Sequence, residues 1–411
     1  MSLTQSARYL LLMLVLVQAG CGSGGSVQSD EDLVCCNEPP PTGLLIAADN
    51  EAQFLEIFSR SIIEDGEDYL NNDGNADVVF ATEDSGRSFT TTYTLEASVD
   101  EHDVVKYDGD HLFIAPSRSM DCCFVMEDFS RVANDGVEED PDSPNEAERG
   151  IRILSTDSEE ASAILVSVIP VDGDLTVEGL YNKDSSLVSL RSSSWWGTFG
   201  ERFSASWAWE GQTSALDIYD ISVPEQPELK LQIEMEGGFV TSRRVDKHVY
   251  MVARHTPEIP GLIRYPSTQE EIEENKVLLR DLTAAEVLPT VLINGESSLL
   301  VEADDCLLMD KTNEQASARY GFPVMTFVIA VDLESESMLG ASCYMGSVSG
   351  VYASENAIYL TQAEGYDEES RTLLHSFKAS DDLTYQGSGS VDGHLWSRGE
   401  VDFRISEHAG Y

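Results

Sequence analysis

The residue types that carry chemistry are plentiful in this chain, but few of them stand at the spacings catalysis needs. HExxH, CxxC, Walker and GxSxG patterns are absent, and the stretch GSVSG at Gly346 to Gly350 has Val348 where a nucleophile would sit. With 74 acidic residues, neighbours such as Asp100 and Glu101 arise from composition alone. The seven histidines are scattered; His248 lies in a strand-like run and His394 in a turn, where structural roles account for both. No catalytic residue is assigned. Asn71, Asp73, Asn75 and Asp77 surround Gly74 in NNDGNAD, and oxygen side chains about a sharp turn can wrap a hard cation. Tyr69 occupies the place of a first Asp, and an ordinary Asp/Asn/Gly turn explains the same residues, so calcium is the only cofactor the sequence raises. Trp195, Trp196, Trp207 and Trp209 are four of the five tryptophans. Alternation places Trp207 and Trp209 on one face of a strand, and Gly197 and Gly200 suggest a protruding hairpin that offers indole faces to a sugar or a protein. Aromatic packing between blade-sized units is the competing reading.

The cysteines carry a second kind of chemistry. Arg8 precedes the apolar run Tyr9 to Val17, too short to span a bilayer and suited to a secretory signal over residues 1–20. Gln18, Ala19, Gly20 and Cys21 resemble a bacterial lipobox, which implies lipidation of Cys21, with Gly22 matching an outer-membrane sorting pattern. Gln18 replaces the usual Leu, which leaves soluble secretion as the alternative. Export implies an oxidising compartment for the six remaining cysteines. Cys306 and Cys343 flank the strand-like Val324 to Leu333 and are expected to pair, while Cys35, Cys36, Cys122 and Cys123 would staple the tail to the first blade. Adjacent cysteines lack zinc-ligand spacing.

Composition narrows the partners. With 25 basic and 74 acidic residues the net charge is −49 and the pI near 4.1. Such a field repels phosphate backbones and anionic lipid heads, so nucleic acid is set aside and membrane contact is expected only through the lipid anchor. At 411 residues without a composition break, one large β domain over residues 46–411 follows a tether over residues 21–45.

The elements that position these residues are strands. Ala215 to Arg254 reads as three successive β-strands separated by turns, an up-and-down sheet of blade size. Leu229, Leu231, Ile233 and Met235 alternate strictly with polar residues, Gly237 and Gly238 turn the chain, and Phe239 to Val245 pairs back with His248 to Ala253. Similar strand–turn–strand units recur at Asp103 to Ala115, Gly179 to Arg191 and Gly350 to Thr361, the repetition of a propeller. Phe54, Leu55, Ile57, Phe58, Ile62 and Ile63 predict an amphipathic helix over about 50–69. Acidic residues 134–150 form a loop, and residues 256–290 hold a helical insertion between Pro266 and Pro289.

Val99 to Ile114 (VDEHDVVKYDGDHLFI) resembles the opening motif of the bacterial secreted β-propeller-domain proteins, distant relatives of WD-repeat propellers. Val99, Asp100, Glu101, Asp103, Val105, Lys106, Asp108 and Gly109 match, as do Asp217 to Leu229, Gly237 to Val245 and Gly389 to Leu395, while Ser98 replaces a Gly. NNDGNAD likewise resembles the calcium loops of FG-GAP repeats. The resemblance implies an all-β propeller of four-stranded antiparallel blades and brings no catalytic assignment. About twenty strand-like runs from Thr91 onward predict about five blades, hence an open arc cut short at Tyr411, or a ring latched by Thr91 to Leu95. Two functions of different class follow. One is an exported binding or scaffold module for an extracytoplasmic glycan or protein; the other is a propeller glycan hydrolase or lyase using carboxylates at the axial mouth.

Overall fold

The computed structural model describes residues 43–71, 96, 98–116, 150–171, 175–193, 206–313, 316, 321–346, 348–364, 370–393, 395 and 405–407. They lie within one compact unit, residues 40–411. The chain begins with β1 (Leu45–Ala47), the helix α1 (Glu51–Asn71) and the short β2 (Val99–Glu101). A first sheet follows from β3 (Val105–Tyr107), β4 (His111–Ile114), β5 (Ile151–Asp157) and β6 (Ser162–Ile169). The second is built on β7 (Thr176–Lys183), β8 (Ser186–Ser192), β9 (Thr213–Asp220) and β10 (Glu228–Glu236). The third opens with β11 (Gly238–Val245) and β12 (His248–His255). Then come α2 (Gln269–Leu278) and α3 (Ala284–Val287), each begun by a threonine capping box, at Thr268 and Thr283. The hairpin β13 (Thr290–Ile293) and β14 (Glu296–Leu299) returns to widen the second sheet beside β10. After β15 (Cys306–Met309), the strands β16 (Met325–Asp332) and β17 (Ser337–Tyr344) complete the third sheet. The fourth is β18 (Gly350–Ala353), β19 (Ala357–Glu364), β20 (Arg371–Lys378) and β21 (Tyr385–Asp392), in that order and antiparallel throughout.

Side-chain alternation makes these sheets stack. Along β12, Val249, Met251 and Ala253 enter a core shared with Val188, Leu216 and Ile233 of the second sheet. The intervening Tyr250 and Val252 enter a core shared with Val351, Leu360 and Phe377 of the fourth. All eight residues of β16 are buried, because it is covered on both faces. A third core joins Phe113, Ile151 and Ile153 of the first sheet to Val177, Leu180 and Leu187 of the second. The sheets therefore pack face to face in the order one, two, three, four, as propeller blades do. Among the described residues no core cluster joins the first sheet to the fourth, so the described blades form an open arc.

Two expectations are corrected. Ala215 to Arg254 holds four strands, not three, and they divide between two blades, β9 and β10 in the second and β11 and β12 in the third. The break is Gly237, at φ +125°, whose N–H donates to Gln212 C=O at 2.7 Å; an added Cβ would stand 3.0 Å from Arg254 O. The twenty strands from β2 to β21 make four sheets rather than five, since β13 and β14 extend the second sheet, and β15 and β2 extend the third. The recurring units at Asp103, Gly179 and Gly350 prove to be the opening hairpins of the first, second and fourth blades, and β11 with β12 opens the third.

α1 lies against the core between the second and third sheets, with Phe54, Phe58 and Ile62 buried at helical spacing. Its start is tied to the insertion by the Ala284 N–H, which donates to Glu51 Oε1 at 2.9 Å.

Candidate functional site

The VDEHD motif lies where the first strands of three blades meet. β2 runs antiparallel to β11, setting Val99 opposite Val245, Asp100 opposite Arg244 and Glu101 opposite Arg243. Charges of opposite sign thus face each other across the ladder, with Arg244 Nη2 3.0 Å from Asp100 Oδ2 and Arg243 Nη2 3.3 Å from Glu101 Oε1. Two residues on, Asp103 exchanges backbone hydrogen bonds with Leu180 of β7, at 3.2 and 2.8 Å. β3 then begins the first blade, and Lys106 on it turns back to donate to Asp100 Oδ1 at 2.8 Å and to Glu101 C=O at 2.6 Å. Its ammonium sits 5.3 Å above the ring of Tyr181 on β7. Eight residues, Val99 to Lys106, therefore stitch the third, second and first blades together.

His102 fills the space between them. Its ring stands edge-on to Phe239 with centroids 5.3 Å apart, and its Nδ1 is 3.0 Å from Ser242 Oγ, which in turn is 2.9 Å from the Tyr181 hydroxyl. A Cβ on Gly179 would come within 2.7 Å of the His102 ring, so glycine is required there. Burial pushes the Tyr181 hydroxyl well above the ordinary tyrosine range.

Asp100 and Glu101 are held by Lys106, Arg243 and Arg244, and these ion pairs join the blades. At the neighbouring hairpins two carboxylates are shifted downward. Burial would raise Asp332, yet Lys247 at 2.8 Å and the N–H groups of Ser335 and Glu334 hold it below the usual range. Asp108 is likewise lowered: burial opposes, and the N–H groups of Asp110 and His111 prevail.

The tryptophans correct a sequence expectation. Trp207 and Trp209 lie on one turn of 3-10 helix, Ser206–Trp209, not on a strand, so residues two apart diverge. Trp207 packs against the core between the second and third blades, and Trp209, 8% exposed, belongs to the core between the third and fourth. Trp209 lies against Gly238, where a Cβ would be 2.8 Å from its Cε3, and 5.0 Å from the guanidinium of the fully buried Arg254, which burial lowers to about 9. Thr256 Oγ1 donates to Ser206 C=O and fixes the turn. Large indoles gain more from burial than from projecting, so Trp209 is a wedge rather than a platform. Trp195 and Trp196 lie outside the described residues.

Cys306 and Cys343 are joined by a disulfide, with Sγ–Sγ 1.94 Å and Cα–Cα 4.6 Å. They face each other in the parallel pair of β15 with β17, the one parallel pairing among the described strands. Cys21, Cys35, Cys36, Cys122 and Cys123 lie outside the described residues, as do Asp73, Asn75, Asp77 and the proposed latch Thr91 to Leu95. Asn71 is the exposed last residue of α1. Among the described residues no group of three or more His, Cys, Asp or Glu side chains is arranged to hold a metal.

One feature escaped the sequence altogether. Tyr69 near the end of α1 and Tyr265 in the loop after β12 bring their rings to 5.1 Å, with Tyr265 58% exposed. They are 196 positions apart in the sequence (265 − 69), and no periodicity links them.

No helix among the described residues is long and apolar enough to cross a membrane. No curated protein matches the chain. A chain in the crystal structure of the mitotic checkpoint complex aligns at 11% identity over 77% of this chain and 87% of its own length, with a TM-score of 0.14. A family model for a beta propeller domain matches residues 89–411, which take in the VDEHD junction and all four blades. This chain belongs to the beta propeller domain family.

Proposed function

We propose that this chain is an exported, lipid-anchored propeller that binds an extracytoplasmic ligand, a glycan or a protein, without transforming it. The observation that supports this most is the junction. The acids that family resemblance places at the first strands, Asp100 and Glu101, are engaged by the cations Lys106, Arg243 and Arg244 and so serve to join blades. A stack of blades with apolar interfaces supplies the rigid scaffold that a binding surface needs. The apolar segment Tyr9 to Val17 and Cys21 supply the export and anchoring part of the reading.

Two measurements test it. Membrane fractionation with radiolabelled palmitate should label the wild-type chain and not a Cys21→Ala variant; label retained in C21A removes the lipid anchor. The purified chain from residue 22 onward should retain at least one member of a panel of immobilised polysaccharides and peptides. Retention of none removes the binding reading, and steady release of reducing ends replaces it with the hydrolase.

A further inference from the structure

We infer that Tyr265, with Tyr69 beside it, is a stacking subsite for a neutral pyranose ring of a glycan ligand; this rests on the binding reading above. Single exposed aromatics are common on protein surfaces and need no function. Here the ring is exposed on a loop fixed at every approach. Before Tyr265, Ile259 is buried in the main core, and Ile263 is clamped by the side chain of Asn275. The Ile263 N–H donates to Asn275 Oδ1 at 2.9 Å, and Asn275 Nδ2 donates to Ile263 C=O at 2.8 Å; Asn275 is 3% exposed. Arg264 is ion-paired with Glu210, which follows the tryptophan turn. After Tyr265, Pro266 rests against Gly66 of α1, where an added Cβ would be 2.9 Å from Pro266 Cγ. The N–H groups of Ser267 and Thr268 donate to Glu271 Oε2 at 2.6 and 3.1 Å. A loop so held loses little freedom on binding, and Tyr265 stays 58% open on it with Tyr69 at 5.1 Å.

The surroundings select the ligand. Tyrosine faces stack on the C–H faces of sugar rings, and planar charged groups at the rim, here Arg264 with Glu210 and nearby Asp65, match vicinal hydroxyls. Burial, followed by the charge of Asp65, raises the Tyr265 hydroxyl, which keeps it protonated and able to donate. A net charge of −49 opposes anionic polysaccharides. A neutral hexose polymer does not meet that penalty.

The test is isothermal titration of the purified chain from residue 22 onward with cellohexaose, maltohexaose and laminarihexaose, with an alginate hexamer as the anionic comparison. At least one neutral hexasaccharide should bind with Kd below about 1 mM, and alginate more weakly. Tyr265→Ala should weaken that binding at least about tenfold, with an unchanged melting curve because the ring is largely exposed. Tyr265→Phe, which keeps the stacking face and loses only the hydroxyl donor, should weaken binding by less than about fivefold. Unaltered binding by Y265A overturns the subsite while the binding reading stands. Binding of none of the neutral sugars overturns the glycan assignment, and the peptide arm of the panel above then decides whether the chain binds anything.

Discussion

Replacing Asp100 with alanine should loosen three blades at once. Its carboxylate receives Lys106 at 2.8 Å and Arg244 at 3.0 Å, and the three side chains are 23%, 9% and 17% exposed respectively. Removing one member of a buried ion pair costs about 3–5 kcal/mol, because the partner charge is stranded away from water. Two facts lower the figure here. Asp100 keeps about a quarter of its side chain in solvent, and Arg244 retains its hydrogen bond to Asp246 C=O at 2.6 Å. The stranded group is then Lys106, left with Glu101 C=O and the Tyr181 face, and the expected loss is about 2–3 kcal/mol. Urea unfolding followed by tryptophan fluorescence reads it as a lower midpoint at unchanged slope. Lys106→Met in the same chain should restore much of the loss, since the stranded charge is gone. A change below about 0.5 kcal/mol for D100A, or strict additivity with K106M, would refute the junction as a structural clasp.

The disulfide should matter for stability rather than for binding. Closing a 37-residue separation between β15 and β17 contributes about 4 kcal/mol on a chain-entropy estimate, so the C306A/C343A variant should unfold at clearly lower urea and keep its ligand; equal midpoints would contradict this. Acid sensitivity is expected from two buried histidines. Burial lowers His375 to about 3 and His255 to about 4, so both stay neutral in the fold while the unfolded chain protonates them near 6.5. The unfolded state then binds more protons below that pH, and stability, complete above pH 6.5, falls toward pH 4 at up to about 1.4 kcal/mol per pH unit for each histidine. His375→Leu should flatten the urea midpoint between pH 6.5 and 4.5, and a slope equal to wild type would show that His375 is not a source.

Strand identity was legible because it rests on local periodicity. The alternation of Leu231, Ile233 and Met235 in β10 places one face in the core, and the spacing of Phe54, Phe58 and Ile62 does the same for α1. The fold class follows from such repeats and from the family resemblance. Blade boundaries were not legible, because the Gly237–Gly238 link between blades and the Asp246–Lys247 turn within one look alike as sequence. Nor does the sequence show that β13 and β14, after a helical insertion, return to the sheet they left at β10. Trp207 and Trp209 misled because alternation was applied to a stretch that forms a 3-10 turn. The motif VDEHD was visible as a motif, but its role depends on Arg243 and Arg244, over 140 residues away, for which only the register of β2 on β11 supplies the pairing. Tyr265 was missed for the same reason: its companion, its clamp and its ion-pair partner come from three other segments.

Binding without turnover is the central functional claim. The measurement that addresses it most directly incubates the chain with the hexasaccharide it binds best, at saturating concentration, and follows the sugar by mass spectrometry over a day. A saturable complex in which the hexasaccharide stays intact is the predicted result; shorter or unsaturated fragments accumulating in proportion to the amount of protein would contradict it.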